Sequence, residues 1–301
     1  MSLNRENMKD IIDPVTAKIL VEEQFPHWAH LPIVPVNESG WDNRTYHLGQ
    51  EMILRFPSGE SYANQVKKEQ KWLPFLSSKL PLTIPTPLGL GKPGHGYMWD
   101  WSIYNWIPGE TAAISKQADK NKLANDLARF LSVLYKMNPT NGPPAGKQNY
   151  YRGGDISVYE HEAINAIKVL ESSLDSKVAK RIWDLGATTK WENPPVWVHG
   201  DISPGNLILQ NGHLRAVIDF GLLSVGDPAC DFAIAWTFFD AKSRKVFRDR
   251  LAIDNRTWHR GRAWAFWKAL IISAGLSNSN NVENSLAQKV IREVMEDFKN
   301  N

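Results

Sequence analysis

The chain has 301 residues, 43% hydrophobic and 22% charged, with a formal net charge of +3; that suits one large domain or two lobes and leaves ample material for a core. Its lysines and arginines are scattered with no block of five like charges, so nothing points to a nucleic-acid-binding tail, and no run approaches the ~18 apolar residues of a membrane span. Cys230 is the single cysteine, so an internal disulfide framework is excluded and a reducing cytoplasm is expected, as it is from a start that lacks the basic-then-apolar pattern of a signal peptide.

Asp13 is placed to cap a helix that starts at Pro14 and ends before Pro26, with Val15, Ile19 and Leu20 on its apolar stripe. Three short β-rich runs follow, at 31–36, 44–49 and 51–57, each bounded by Gly, Asn or Pro. A turn-rich loop, 37–43, separates the first two. Residues 61–80 have a helical pattern in which Pro74 predicts a kink or a break. Two further strands flank a Gly-Pro turn before Pro108-Gly109. The first ~107 residues therefore predict a small antiparallel sheet with one or two helices.

The rest is mostly helical. Leu123, Leu127, Phe130, Leu131 and Leu134 recur with a period near 3.6. A long loop spans 138–154, and helical patterns cover 158–170, 177–185, 229–239, 243–251, 256–274 and 283–298. Two short strands, "NLILQ" and "LRAVID", are joined by Asn211-Gly212, a strong hairpin signal. The fold class is α+β, with a lobe over 1–107 and a second, helix-rich lobe over 108–301.

The stretch "VHGDISPGNLILQNGHLRAVIDFG" (Val198 to Gly221) carries the chemistry. Asp201 lies five residues before Asn206, which starts one strand; Asp219 ends the next. An antiparallel pair should bring Asn206 and Asp219 to the same end, within reach of Asp201. Two carboxylates and an amide oxygen are hard ligands that suit Mg²⁺ bound together with phosphate oxygens. Taken singly, each of these residues also fits a turn or a cap.

H-G-D-x-x-x-x-N followed by D-F-G resembles the protein-kinase set H-R-D-x-x-x-x-N and D-F-G. With "SPGN" and "GDPACDFA" the stretch resembles the aminoglycoside phosphotransferase family, which includes choline-kinase-like enzymes. The resemblance implies a two-lobed protein-kinase-like fold and transfer of the γ-phosphate of ATP or GTP, with Mg²⁺. It implies that Asp201 is the catalytic base, that Asn206 and Asp219 are metal ligands, and that His199 and Asp231 brace the loop. In the first lobe it implies a phosphate-covering loop at "SGWDN", with Gly40 and Asn43, and a cation at Arg55 where kinases carry lysine. Glu69 is the candidate partner of Arg55. Asn105 and Ile107 are the expected adenine contacts.

Only Leu222 to Gly226 separate D-F-G from "DPACD", and no A-P-E follows, which favours a small-molecule hydroxyl over a protein one. An aminoglycoside-type antibiotic is the first expectation; the alternatives are another small-molecule acceptor (a macrolide, choline, aminosugar or similar metabolite) and a non-catalytic nucleotide-binding protein on the same fold. A cationic acceptor calls for carboxylates. Asp240 is the leading candidate, with Asp155, Glu160 and Glu162 behind it. Trp236, Trp264 and Trp267 are equally consistent with a pocket wall and with core.

Overall fold

A computed structural model describes residues 12–36 and 42–300. The chain divides into two compact units. One comprises residues 1–109 and 216–221, the other 110–215 and 222–301.

In the first unit, Asp13 accepts the Thr16 N–H at 2.6 Å and Pro14 opens α1 (Pro14–Gln24), where the proline's missing donor costs nothing. Strands β1 (Ile33–Pro35), β2 (Asn43–Leu48), β3 (Met52–Pro57), β4 (Pro87–Gly91) and β5 (Trp101–Asn105) form one antiparallel sheet in the order β1-β2-β3-β5-β4. Tyr46, Leu48, Leu54, Phe56, Trp101 and Ile103 pack with Leu20 and Val21 of α1, and this apolar burial is the main force holding the sheet. Helix α2 (Glu60–Ser77) packs on β3, β4 and β5. It runs unbroken through Pro74. The proline falls in the final turn, so the hydrogen bond it removes lies next to an end where such bonds already run out.

The second unit begins with β6 (Glu110–Thr111), followed by α3 (Lys120–Lys136), α4 (Glu160–Val169) and α5 (Ser176–Ala187). Strands β7 (Val196–Val198), β8 (Leu207–Gln210), β9 (His213–Val217) and β10 (Ser224–Gly226) come next. β6 pairs with β8 and β8 adjoins β9, while β7 pairs with β10. Asn211 (φ +53°) and Gly212 (φ +74°) make the turn between β8 and β9, as a two-residue hairpin turn requires. The last two residues of β9, with Ile218 to Gly221, belong to the first unit, where Val217 N–H donates to the Thr83 carbonyl at 3.1 Å.

Helices α6 (Ile234–Thr237), α7 (Ala241–Leu251), α8 (Asn255–Ser273) and α9 (Asn281–Asn300) complete the unit. α8 packs against α4, α5, α6 and α9 and buries Trp258, Trp264, Phe266 and Trp267. The helix expected over 229–239 is instead a 3₁₀ segment, Pro228–Ala233, followed by the single turn of α6. Gly261 of α8 lies so close that a Cβ there would stand 2.9 Å from Phe232 Cβ and 3.1 Å from the Ala229 oxygen. Packing of that kind overrides helical propensity. Among the described residues no helix is long and apolar enough to cross a membrane.

Candidate active site

Asp201 follows the end of β7 through His199 and Gly200. The turn is made by Gly200 at φ +87°, where a Cβ would approach the Leu222 oxygen to 2.6 Å; only glycine takes this backbone and this contact without strain. Asp231 has no exposed surface. Its Oδ2 accepts the His199 N–H at 3.0 Å and its Oδ1 the Gly200 N–H at 2.7 Å, and Tyr135 adds its hydroxyl at 3.3 Å. Burial nevertheless pushes the Asp231 carboxyl up to about 7, against those hydrogen bonds. The Asp201 N–H donates to His199 Nδ1 at 3.2 Å.

Asn206 lies in a 3₁₀ turn, Pro204–Asn206, one residue before β8 rather than in the strand. Pro204 opens that turn, and the strand ladder starts only after it. The Asn206 Nδ2 donates to both the Asp201 backbone oxygen and Asp201 Oδ2, each at 2.9 Å. The amide is thereby oriented, and its Oδ1 is left as an oxygen donor.

The first unit gathers a separate set. Asp219 follows β9 by two residues, at φ +64°. The Arg55 guanidinium on β3 has three carboxylates around it: Asp219 at 3.2 Å, Asp42 at 3.5 Å and Glu69 of α2 at 3.5 Å. Burial alone would push the Arg55 guanidinium down, but Asp219, Glu69 and Asp42 together raise it. Burial lifts the carboxyls of Glu69 and Asp42 above their ordinary range, with repulsion from Asp219 adding to it. Glu69 Oε2 receives the Tyr104 hydroxyl at 2.6 Å, while Oε1 is buried and, among the described residues, meets only the 3.5 Å contact to Arg55. Lys68 donates to the Gly221 carbonyl, and burial pulls its ammonium down to about 8. Three acids on one shared guanidinium, one with an orphaned oxygen, form a donor set with more negative than positive charge. Among the described residues no group of three or more His, Cys, Asp or Glu side chains is placed to hold a metal ion by itself, so a magnesium ion here would depend on phosphate oxygens for much of its coordination.

Asn43 opens β2 and is buried, paired with Pro57. Gly40 lies outside the described residues. At the end of β5, Asn105 is tied to Thr86: its Oδ1 accepts the Thr86 N–H at 2.6 Å and its N–H donates to the Thr86 oxygen at 3.2 Å. Ile107 follows, buried. Asp240 does a different job. It caps α7, accepting the Ser243 N–H at 3.0 Å in a reciprocal capping box. Asp155 caps a 3₁₀ turn and pairs with Lys190, and Glu162 accepts Trp267 Nε1–H at 2.9 Å. Asp42 and Tyr104 were not singled out from sequence; their places across the sheet from Arg55 carry no local signal.

The first unit thus bears a cation–acid pair on an antiparallel sheet, and the second an oriented aspartate–asparagine loop among helices. Residues 33–264 match the family described as "Phosphotransferase enzyme family", and the chain belongs to that family. It is 25% identical over 218 residues to an aminoglycoside 3'-phosphotransferase of Escherichia coli, covering 68% of this chain and 76% of that protein. It is 24% identical over 243 residues to the uncharacterized protein YcbJ of Bacillus subtilis (strain 168), covering 71% and 72%. Among solved structures it resembles the GDP complex of aminoglycoside 2'-phosphotransferase-IIIa, with a TM-score of 0.70, 18% identity and coverage of 95% and 99%. It also resembles macrolide 2'-phosphotransferase type I, with a TM-score of 0.60, 17% identity and coverage of 92% and 96%.

Proposed function

We propose that this protein transfers the γ-phosphoryl group of a nucleoside triphosphate, ATP or GTP, to a hydroxyl of a small molecule. The observation that carries this is the bond from Asn206 Nδ2 to Asp201 Oδ2, which holds a carboxylate on a glycine-turned loop braced by Asp231. Asp201 orients the acceptor hydroxyl and takes its proton as the oxygen–phosphorus bond forms. The bond from phosphorus to the β,γ-bridging oxygen breaks, and the nucleoside diphosphate leaves. Little covalent chemistry is asked of the protein, so positioning and charge neutralisation carry the rate. Arg55, held by Glu69, supplies a permanent positive charge for the phosphates. The Asn206 amide oxygen and the Asp219 carboxylate are the groups that would hold magnesium, which would neutralise phosphate charge when bound. Asn43 and Gly40 belong to the phosphate-covering loop, and Asn105 and Ile107 to the adenine contact. Such a reaction belongs in the cytoplasm, where nucleoside triphosphate is supplied.

Aminoglycosides and macrolides are the acceptors named for the relatives, and an aminoglycoside-type acceptor is the first to assay. Of the four carboxylates expected to greet a polycation, Asp155, Glu162 and Asp240 are each engaged elsewhere in the fold, and Glu160 is exposed at the start of α4.

The test is nucleotide consumption against a panel of hydroxyl compounds. Asp201→Asn is expected to lower turnover by about 10²- to 10⁴-fold with nucleotide affinity retained. Asp219→Ala is expected to shift the magnesium dependence. Near-full activity in Asp201→Asn sinks the catalytic assignment, and an unchanged magnesium titration sinks the metal role of Asp219.

A further inference from the structure

Arg152, half-buried, is paired differently from the buried arginines of the second unit. Arg244, Arg260 and Arg262 each hold a carboxylate within 3.2 Å. Arg152, among the described residues, has no ion-pair partner, and its Nε is buried without a hydrogen bond. Its Cζ instead lies 4.6 Å from the centre of the Trp264 ring. Stacking of this kind uses the face of a guanidinium and leaves its in-plane N–H donors unspent. A charged donor shielded from water without an acceptor is costly, and in-plane N–H groups that the protein does not use are open to a ligand.

The position of Arg152 is built rather than incidental. The two residues before it, Tyr150 and Tyr151, both have left-handed backbone, at φ +52° and +53°. Such strain persists only where the surroundings over-determine it. Here they do: the Arg152 carbonyl accepts Asn149 Nδ2–H at 2.8 Å and the Ser224 hydroxyl at 2.7 Å, and the Tyr159 hydroxyl donates to the Tyr150 carbonyl at 2.9 Å. The pinned loop lies against the turn that presents Asp201, since a Cβ on Gly200 would stand 3.1 Å from Arg152 Cβ. Tyr159 stacks on Trp267 with centroids 3.7 Å apart, making an aromatic wall beside the guanidinium. Lys268 of α8 is a second cation in the same field. Partial desolvation and then Arg152 hold its ammonium below the usual range, while Glu162, Glu283 and Asp201 act the other way.

We infer that Arg152 is the anchor for an anionic oxygen group, a carboxylate or a phosphate, on the acceptor itself. The acceptor is thus a small hydroxy acid or hydroxylated phosphate ester rather than a polycation. This specificity presupposes the phosphotransfer function proposed above, because the group bound at Arg152 would present its hydroxyl to Asp201. The planar fork matches either anion in two-point fashion, which a lysine does not. A polycationic acceptor would meet like charge at Arg152.

The test uses the full chain with magnesium and nucleoside triphosphate. Acceptors are offered in matched sets: glycerate and glycerol 3-phosphate against glycerol, choline and kanamycin. The anionic members are expected to drive nucleotide consumption. Arg152→Gln is expected to raise their KM roughly 10- to 100-fold, with nucleotide KM held at the wild-type value. Arg152→Lys, which keeps the charge and loses the fork, is expected to fall between. Preferred turnover of choline or kanamycin overturns the anionic acceptor and leaves phosphotransfer standing. A rise in nucleotide KM instead of acceptor KM assigns Arg152 to the nucleotide and overturns it too. If no compound in the panel is turned over, binding decides: malonate or inorganic phosphate, added at saturating non-hydrolysable nucleotide, should raise the melting temperature of the wild type and not of Arg152→Gln. An equal shift in both proteins, or none in either, overturns the proposal.

Discussion

Asp231 shows how one residue can be both a brace and a pH-sensitive element. Its carboxyl ordinarily titrates near 3.8 and is pushed up by burial to about 7. The native state therefore holds this proton more tightly than the unfolded chain does. Its contribution is full below about pH 4 and is lost as pH rises through about 7, a difference on the order of 4 kcal/mol. The wild type is expected to lose stability across that window, and Asp231→Asn to flatten the loss. Urea unfolding at pH 4 to 8 measures it; identical slopes for the two proteins would show that the backbone donors of His199 and Gly200 keep Asp231 ionised throughout. Arg55 is the complementary case. A guanidinium in place of lysine can be shared among Asp42, Glu69 and Asp219, which a compact ammonium serves less well.

At the level of elements, helix ends and helix packing absorb charges that the sequence offers for a substrate. Asp240 sits at the start of α7 with its carboxylate on Ser243 N–H. Asp240→Ala is expected to cost about 1 kcal/mol of stability and to leave acceptor KM unchanged. A raised KM without a change in melting temperature would return Asp240 to the acceptor site. Asp297 of α9 stands between two buried arginines, accepting from Arg262 at 2.9 Å and lying 3.2 Å from Arg244, and it also receives Trp236 Nε1–H at 2.9 Å. Truncating one member of such a set leaves charge buried without a partner. Asp297→Ala is expected to destabilise by about 3–5 kcal/mol, read by denaturant midpoint, whereas a loss under 1 kcal/mol would mean that water or Glu293 takes over. The same packing explains the 3₁₀ segment at 228–233. Its sequence reads as helix, but the approach of Gly261 sets its geometry.

Across the whole molecule, the chain passes between its two units at 109, 215 and 221, so the stretch from Val198 to Gly221 is divided. Asp201 and Asn206 belong with the helices, and Asp219 with the sheet. Nucleotide with magnesium at a hundred times its Kd is expected to stabilise the protein by about 2.7 kcal/mol. Arg55→Gln should shrink that increment, measured as the shift between free and loaded protein; an undiminished shift would remove Arg55 from the phosphate contact. What sequence alone determined was whatever depends on near neighbours: the cap at Asp13, the period of α3, the turn at Asn211-Gly212, and the spacing of Asp201, Asn206 and Asp219 that marks the reaction class. These are local because backbone geometry repeats every few residues. The tertiary structure decided what depends on distant partners. Arg55 meets Asp219 across 164 positions, Asp42 and Tyr104 join them only through the sheet, and Arg152 reaches Gly200 only because a strained loop is pinned by Asn149 and Ser224. Packing, not spacing, brings those charges together.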